Sequence, residues 1–349
     1  MSTRGEHAVI QTTGERPHRR RKGAVVLVGI ALVAFVAVAT AGTSARTAAP
    51  VYLYWANSTP GSGAKPPATT LGRARLDGTG VEHGFISGAG RRPCGVALDR
   101  KHVYWREALA GKVGSPDTGG AIGRANRDGS GVDAEFIPTP AHRGCGVAIA
   151  GSHVYWESWA CKVVPGRGCW WAPSSGGAIG RANVDGSGVD NRFITGIGIP
   201  RSPAWQGASP CGIAVAGKYI HWTYAAEGSK PQTIGRANLD GTGVDKRFIT
   251  GVSNGFCGIA VAGGHIFWTN GGFVGRANLD GTGVDRRFIR TASAPCGVAA
   301  YHGHIYWGQS RDGLAHPSMT IGRANLDGSA VDNEFITGIR DTCFGLAVG

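Results

Sequence analysis

Residues 257–289 read CGIAVAGGHIFWTNGGFVGRANLDGTGVDRRFI, and this stretch decides the fold. It holds four short β-prone runs, a CG(V/I)A run, an (V/I)YW-like run, a GRAN run and an RFI run, with Gly-rich turns between them and no helical periodicity. Moving outward, the GRAN to RFI string recurs six times: LGRARLDGTGVEHGFI (71–86), IGRANRDGSGVDAEFI (122–137), IGRANVDGSGVDNRFI (179–194), IGRANLDGTGVDKRFI (234–249), VGRANLDGTGVDRRFI (274–289) and IGRANLDGSAVDNEFI (321–336). Before each copy stands LYW (53–55), VYW (103–105), VYW (154–156), IHW (220–222), IFW (266–268) or IYW (305–307). After each copy comes a Cys-led run, starting at Cys94, Cys145, Cys211, Cys257, Cys296 and, as CFGLAV, at Cys343. Four strands in a repeat of roughly 50 residues describe a propeller blade, and residues 51–349 supply six. The chain starts on a YW strand and ends on a CFGLAV strand, so the two termini are expected to complete one shared blade and close the ring. The predicted fold is all-β: a six-bladed β-propeller of four-stranded antiparallel blades.

The tandem CGIAVAGGHIFWTN followed by GRANLDGTGVD resembles the YWTD repeat of the low-density-lipoprotein-receptor class B propellers, and the resemblance covers all of 51–349. It implies a six-bladed fold and a binding habit, without a particular ligand. The Asp of YWTD is absent from every copy (YWAN, YWRE, YWES, HWTY, FWTN, YWGQ), and its Thr survives only at Thr223 and Thr269.

Ahead of the repeats, residues 1–23 form a basic tail, with Arg4, Arg16, Arg19, Arg20, Arg21 and Lys22 against Glu6 and Glu15. Residues 24–42 follow as an apolar segment, and 43–50 as a linker. The run Ala24 to Ala41 reaches the lower limit for a membrane-spanning helix. The basic residues before it place the N-terminus in the cytoplasm and the propeller outside. Ala39-Thr40-Ala41 also fits a cleavage site, so both a single-pass anchor and a cleaved signal, giving a secreted propeller, remain open. Export makes the eight cysteines candidates for disulfides.

Composition narrows the classes further. The 59 glycines of 349 residues lack the three-residue period of collagen, and 42% apolar residues exceed what a disordered chain carries. The net charge of +13 is spread thinly beyond the tail, without the clustered basic and stacking residues of a nucleic-acid surface. No specific nucleic-acid partner is expected.

Most repeated residues read as framework. The DG(S/T)G turns supply positive-φ positions for hairpins and lack the bidentate Glu of a calcium loop. Trp55, Trp105, Trp156, Trp222, Trp268 and Trp307 are expected to pack between blades, and the arginines Arg73, Arg124, Arg181, Arg236, Arg276 and Arg323 to pair within or between them. His102, His153, His265 and His304 open strands near turns and are expected to be spread around the rim. Strand order places Cys94, Cys145, Cys211, Cys257, Cys296 and Cys343 as a ring at one channel mouth. Three states fit that ring: disulfides between adjacent blades, buried free thiols, or a thiolate metal site.

Function is expected where the repeat breaks. The segments 109–120, 157–178, 195–210, 225–233 and 308–319 all differ and emerge on one face, while the turns opposite are short and uniform. Trp159, Trp170, Trp171 and Trp205 fall in two consecutive loops of that face, and Cys161 and Cys169 are spaced for a local disulfide. Stapled aromatics suit recognition of a sugar ring, a peptide or a protein hot spot; packing as a satellite cluster is the plainer alternative. The inner strands offer no carboxylate or His, no Gly-x-Ser-x-Gly elbow appears, and Asp99, Glu107, Asp117, Glu157 and Asp312 are the acids left for a loop-built catalyst. The reading leans away from an enzyme, with no catalytic residue, metal or cofactor assigned. It favours a monomeric extracytoplasmic module that binds a cell-envelope carbohydrate, peptide or protein. A propeller hydrolase or lyase using the same loops, and a structural envelope protein, are the alternatives.

Overall fold

Val, Ile, Tyr, Phe and Trp dominate the expected runs, and these side chains suit a pleated, half-buried surface. The computed structural model of the protein describes residues 50–57, 69–90, 93–107, 120–139, 145–158, 161–164, 168–171, 177–198, 208–226, 232–252, 258–310, 319–339 and 345–349. The basic tail and the 24–42 segment lie outside the described residues. Blade 1 takes β1 (Tyr52–Asn57), β2 (Thr70–Arg75) and β3 (Glu82–Ser87). Blade 2 is β4 (Pro93–Leu98), β5 (His102–Glu107), β6 (Gly120–Asn126) and β7 (Asp133–Thr139). In blade 3, β8 (Val147–Ala150) and β9 (His153–Ser158) precede a separate hairpin, β10 (Cys161–Val164) with β11 (Gly168–Trp171), before β12 (Ala178–Asn183) and β13 (Asp190–Ile194). Blade 4 is β14 (Ala208–Ala216), β15 (Tyr219–Ala226), β16 (Gln232–Asn238) and β17 (Asp245–Val252). Blade 5 is β18 (Ile259–Ala262), β19 (His265–Asn270), β20 (Phe273–Asn278) and β21 (Asp285–Arg290). Blade 6 is β22 (Pro295–Tyr301), β23 (His304–Ser310), β24 (Met319–Asn325) and β25 (Asp332–Ile339). The last strand, β26 (Leu346–Val348), pairs antiparallel with β1 and completes blade 1.

The innermost strands β4, β8, β14, β18, β22 and β26 touch in that order, and β26 touches β4. The six sheets therefore close into a ring, a six-bladed β-propeller as the repeats predict. Closure is by three-plus-one pairing: Leu53, Tyr54 and Trp55 face Val348, Ala347 and Leu346, and Tyr52 exchanges both backbone bonds with Gly349.

Between neighbouring blades lie six separate apolar clusters, and each takes the tryptophan of one blade against the strands of the blade before it. All six repeat tryptophans are buried. Their bulk explains the glycine of every GRAN string: a Cβ on Gly72, Gly123, Gly180, Gly235, Gly275 or Gly322 would overlap the indole Cε2 of the tryptophan on the adjacent strand.

Each GRAN arginine lies over the phenylalanine of its own RFI strand, at 3.6–4.0 Å from the ring centroid, a cation–π stack repeated in all six blades. The edge of that ring meets the turn glycine of the next blade, as Phe85 meets Gly129 and Phe335 meets Gly78. Arg124 and Arg323 also donate to the carbonyls of Val184 and Leu76 on the following blade. In the turns, Asp240 accepts from the backbone N–H and hydroxyl of Thr242, while Gly241 sits at φ 89° and Gly243 at φ 63°. The hairpin reading of DG(S/T)G holds.

The Asp position of YWTD carries Asn57, Asn270 and Gln309 in three blades, all buried. Asn57 and Gln309 accept from the indole N–H of Trp55 and Trp307 and donate to the carbonyls of His83 and Asn333 on the outermost strand. A carboxylate accepts but cannot donate, so the amide fits this position where an Asp would leave a carbonyl unpaired.

His221 replaces the Tyr or Phe of the other blades before Trp222. It is fully buried, 5.7 Å from the Phe248 ring, and neither ring nitrogen has a hydrogen-bond partner. Burial, reinforced by the Arg236 charge, lowers its pKa to about 4. The unfolded chain therefore binds a proton below its ordinary value near 6.5 while the folded chain does not, and stability falls as pH drops from about 6.5 to 4, by up to about 3 kcal/mol. His221→Phe should flatten this slope. Urea midpoints at pH 7 and pH 4.5 check it; an unchanged difference in the variant would exclude His221 as the cause.

Candidate functional site

The boundary between blades 2 and 3 departs from the six-fold repetition. Immediately after the repeat tryptophan the blades carry Ala56, Arg106, Glu157, Thr223, Thr269 and Gly308. In blade 5, Thr269 Oγ1 accepts from the backbone N–H of Gly258 at 3.2 Å. In blade 3 the same service falls to Glu157 Oε1, which accepts from Gly146 N–H. Arg106 donates through Nη1 to Thr139 Oγ1 at 2.9 Å and through Nη2 to the backbone carbonyl of Glu157 at 3.2 Å. Both side chains have 0% exposure, and Arg106 Nε and Glu157 Oε2 lack partners. Burial pushes the guanidinium down and the carboxyl up, each opposed by the charge of the other.

The same boundary is crossed by a disulfide, Cys94–Cys145, with Cα atoms 5.3 Å apart. Pairing of β4 with β5 places Pro93 opposite Glu107 and Gly95 opposite Arg106, so the cysteine end of the inner strand lies at the face from which the loops after β5 and β9 leave. Of the three states open to the cysteine ring, Cys94, Cys145 and Cys296 adopt the disulfide.

From that face rises the β10–β11 hairpin, set between the second and third strands of blade 3. Its register opposes Cys161 to Trp171, Lys162 to Trp170 and Val163 to Cys169. Consecutive positions on a strand occupy opposite faces, so positions 170 and 171 do not share one. Positions 161, 169 and 171 do, with 161 and 169 diagonal rather than directly opposed. The side chains of Cys161, Cys169, Trp170 and Trp171, and the whole of Trp159 and Trp205, lie outside the described residues.

The channel itself is narrow. The ring of glycines after the cysteines lets neighbouring backbones touch: a Cβ on Gly95 would strike the Cys145 carbonyl, one on Gly345 the Cys94 carbonyl, and one on Gly258 would lie 2.8 Å from the N of Val298. Val96, Val147, Ile213, Ile259, Val298 and Leu346 line the remaining cavity of about 50 Å³. Ligand pockets for small organic molecules run to several hundred Å³, so this space suits a few waters.

The acids named from sequence have structural positions. Glu157 is enclosed as described. Asp99 caps a turn, accepting from Lys101 N–H, His102 N–H and the Tyr104 hydroxyl; burial opposes its ionisation, but these bonds outweigh it and hold the carboxyl below the usual range. Glu107 packs against Gly90. Asp117 and Asp312 lie outside the described residues. Among the described residues no cluster of three His, Cys, Asp or Glu side chains is arranged for a metal. Arg106 escaped the sequence reading. Its signal was available: two consecutive copies carry opposite charges at a position that is small or Thr in the other four.

No family model matches the chain, and no curated protein matches it. Among solved structures, a chain in the crystal structure of a nidogen/laminin complex is similar over 85% of this chain and 98% of its own length, with a TM-score of 0.55 and 14% identity. That likeness bears out the propeller fold.

Proposed function

We propose that the protein is a YWTD-type propeller acting as an extracytoplasmic interaction module, which recognises a protein, peptide or glycan of the cell envelope through the loop face of blades 2 to 4. The observation that carries this reading is the β10–β11 hairpin: an extra two-stranded ribbon set into blade 3, on the disulfide-bearing face, while the opposite face keeps uniform turns. The backbone-to-backbone packing of the inner strands and the small volume of the channel direct function to the loops rather than the axis. Likeness to a propeller crystallised in a nidogen/laminin complex supports a protein as partner. Residues 24–42 serve in this reading as membrane anchor or export signal, with the propeller outside.

The test is retention of the full chain on cell-envelope fractions and on a glycan array at low and high salt. Because positions 170 and 171 fall on opposite faces of the ribbon, Trp170→Ala and Trp171→Ala are tested singly. One of them is expected to reduce retention at high salt at least tenfold while the other changes it little, the loss of one aromatic anchor. Retention that vanishes with salt in wild type and variants alike would show that only the basic charge was acting, and would overturn the reading.

A further inference from the structure

Two described facts constrain the remaining ring cysteines. Cys94 is joined to Cys145 across blades 2 and 3, and Cys296, in the inner strand of blade 6, is also disulfide-bonded. Cys211, Cys257 and Cys343 have side chains outside the described residues, and the repeat supplies their positions: Cys211 precedes Gly212 within β14, Cys257 directly precedes Gly258, and Cys343 stands two residues before Gly345. The inner strands follow one another around the channel in chain order, so the ring runs Cys94, Cys145, Cys211, Cys257, Cys296, Cys343 and back to Cys94.

A disulfide needs Cα atoms about 4.4 to 6.8 Å apart, and Cys94 and Cys145, which belong to successive inner strands, stand at 5.3 Å. In the order of the inner strands around the channel, Cys296 stands between Cys257 and Cys343 in sequence. Pairing with Cys257 would strand Cys211 and Cys343 on opposite sides of the channel, each flanked by cysteines already used. Pairing with Cys343 leaves Cys211 beside Cys257, and every sulfur finds a partner.

We infer that the ring forms three alternating disulfides, Cys94–Cys145, Cys211–Cys257 and Cys296–Cys343, which join the blades two by two: 2 to 3, 4 to 5, and 6 to 1. Each bridge forms when two thiols give up two protons and two electrons to a disulfide-bearing oxidant, which leaves as its dithiol. The third bridge has a particular consequence. Blade 1 is completed only by β26, which pairs with β1 over three residues, Leu346 to Val348. A bond from Cys343 to Cys296 ties the chain just ahead of β26 to blade 6, so the noncovalent latch is backed by a covalent one. The boundaries between blades 3 and 4, 5 and 6, and 1 and 2 carry no bridge.

The full chain, recovered from its native compartment with thiols blocked by an alkylating reagent, is digested without reduction and its linked peptides are identified by mass spectrometry. The expected peptides join 94 to 145, 211 to 257 and 296 to 343. A linkage of Cys257 to Cys296, or alkylated Cys211 and Cys257 in the untreated protein, would overturn the pattern. The Cys257→Ser variant gives an independent reading: Cys211 should become alkylable while the Cys296–Cys343 peptide persists. Release of Cys296 in that variant would refute the alternation. If the variant does not fold, the wild-type linkage map decides alone.

Discussion

Replacing Gly235 by alanine is expected to cost about 3 kcal/mol, the upper range for overpacking a well-filled core. The position has an ordinary backbone conformation, so the loss does not come from φ strain. It comes from Trp222, whose Cε2, Cζ2 and Nε1 occupy the space a Cβ would need, and which is itself fully buried between blades 3 and 4 with Ile213, Ile220 and Tyr224. Neither neighbour can retreat, because the indole is held by the adjacent blade and Gly235 is paired with Trp222 in the sheet. Gly84→Ala is the control: nothing lies within 4 Å of a Cβ there, so its effect should stay within about 0.5 kcal/mol. Denaturation midpoints of the two variants make the comparison. Adding Trp222→Phe to Gly235→Ala should recover part of the loss, a non-additivity that a general dislike of alanine would not produce.

Breaking the buried charges at the boundary of blades 2 and 3 should cost still more when done from one side. Arg106→Met leaves the Glu157 carboxylate with no exposure and no cation, and Glu157→Leu leaves the guanidinium in the same position. Each is expected to destabilise by about 3 to 5 kcal/mol, whereas the double replacement should be close to neutral, because the desolvation of both ions is removed together. The measurement is a double-mutant cycle on urea midpoints at neutral pH. A double variant as unstable as the sum of the singles would show that Arg106 and Glu157 act independently, against the opposite charges that each side chain sets beside the other in this boundary.

Much of the fold is legible in the sequence because each of its signals is local. The YW, GRAN, RFI and Cys-Gly runs carry their own strand preference, the DG(S/T)G turns carry their own φ requirement, and six copies in one order fix blade number and closure. The His residues at strand starts are legible for the same reason, being turn neighbours. The candidate site is less so. Trp170 and Trp171 stand out as surplus aromatics, but whether they share a surface depends on the register of β10 against β11. Glu157 draws attention as an acid outside the repeat, yet its burial beside Arg106, which donates to its backbone carbonyl, depends on a strand in the preceding blade.

The sequence by itself determined an all-β ring of six four-stranded blades, its closure by both termini, and the one face on which the repeat breaks. Period and turn chemistry suffice for that, since they act within a few residues. The tertiary structure alone decided which cysteine meets Cys94, why every GRAN string needs its glycine, which ring each arginine covers, and that Arg106 and Glu157 lie enclosed together. Those contacts join residues on different strands and different blades. They are set by the distance between strands around the channel, a quantity that no spacing along the chain records.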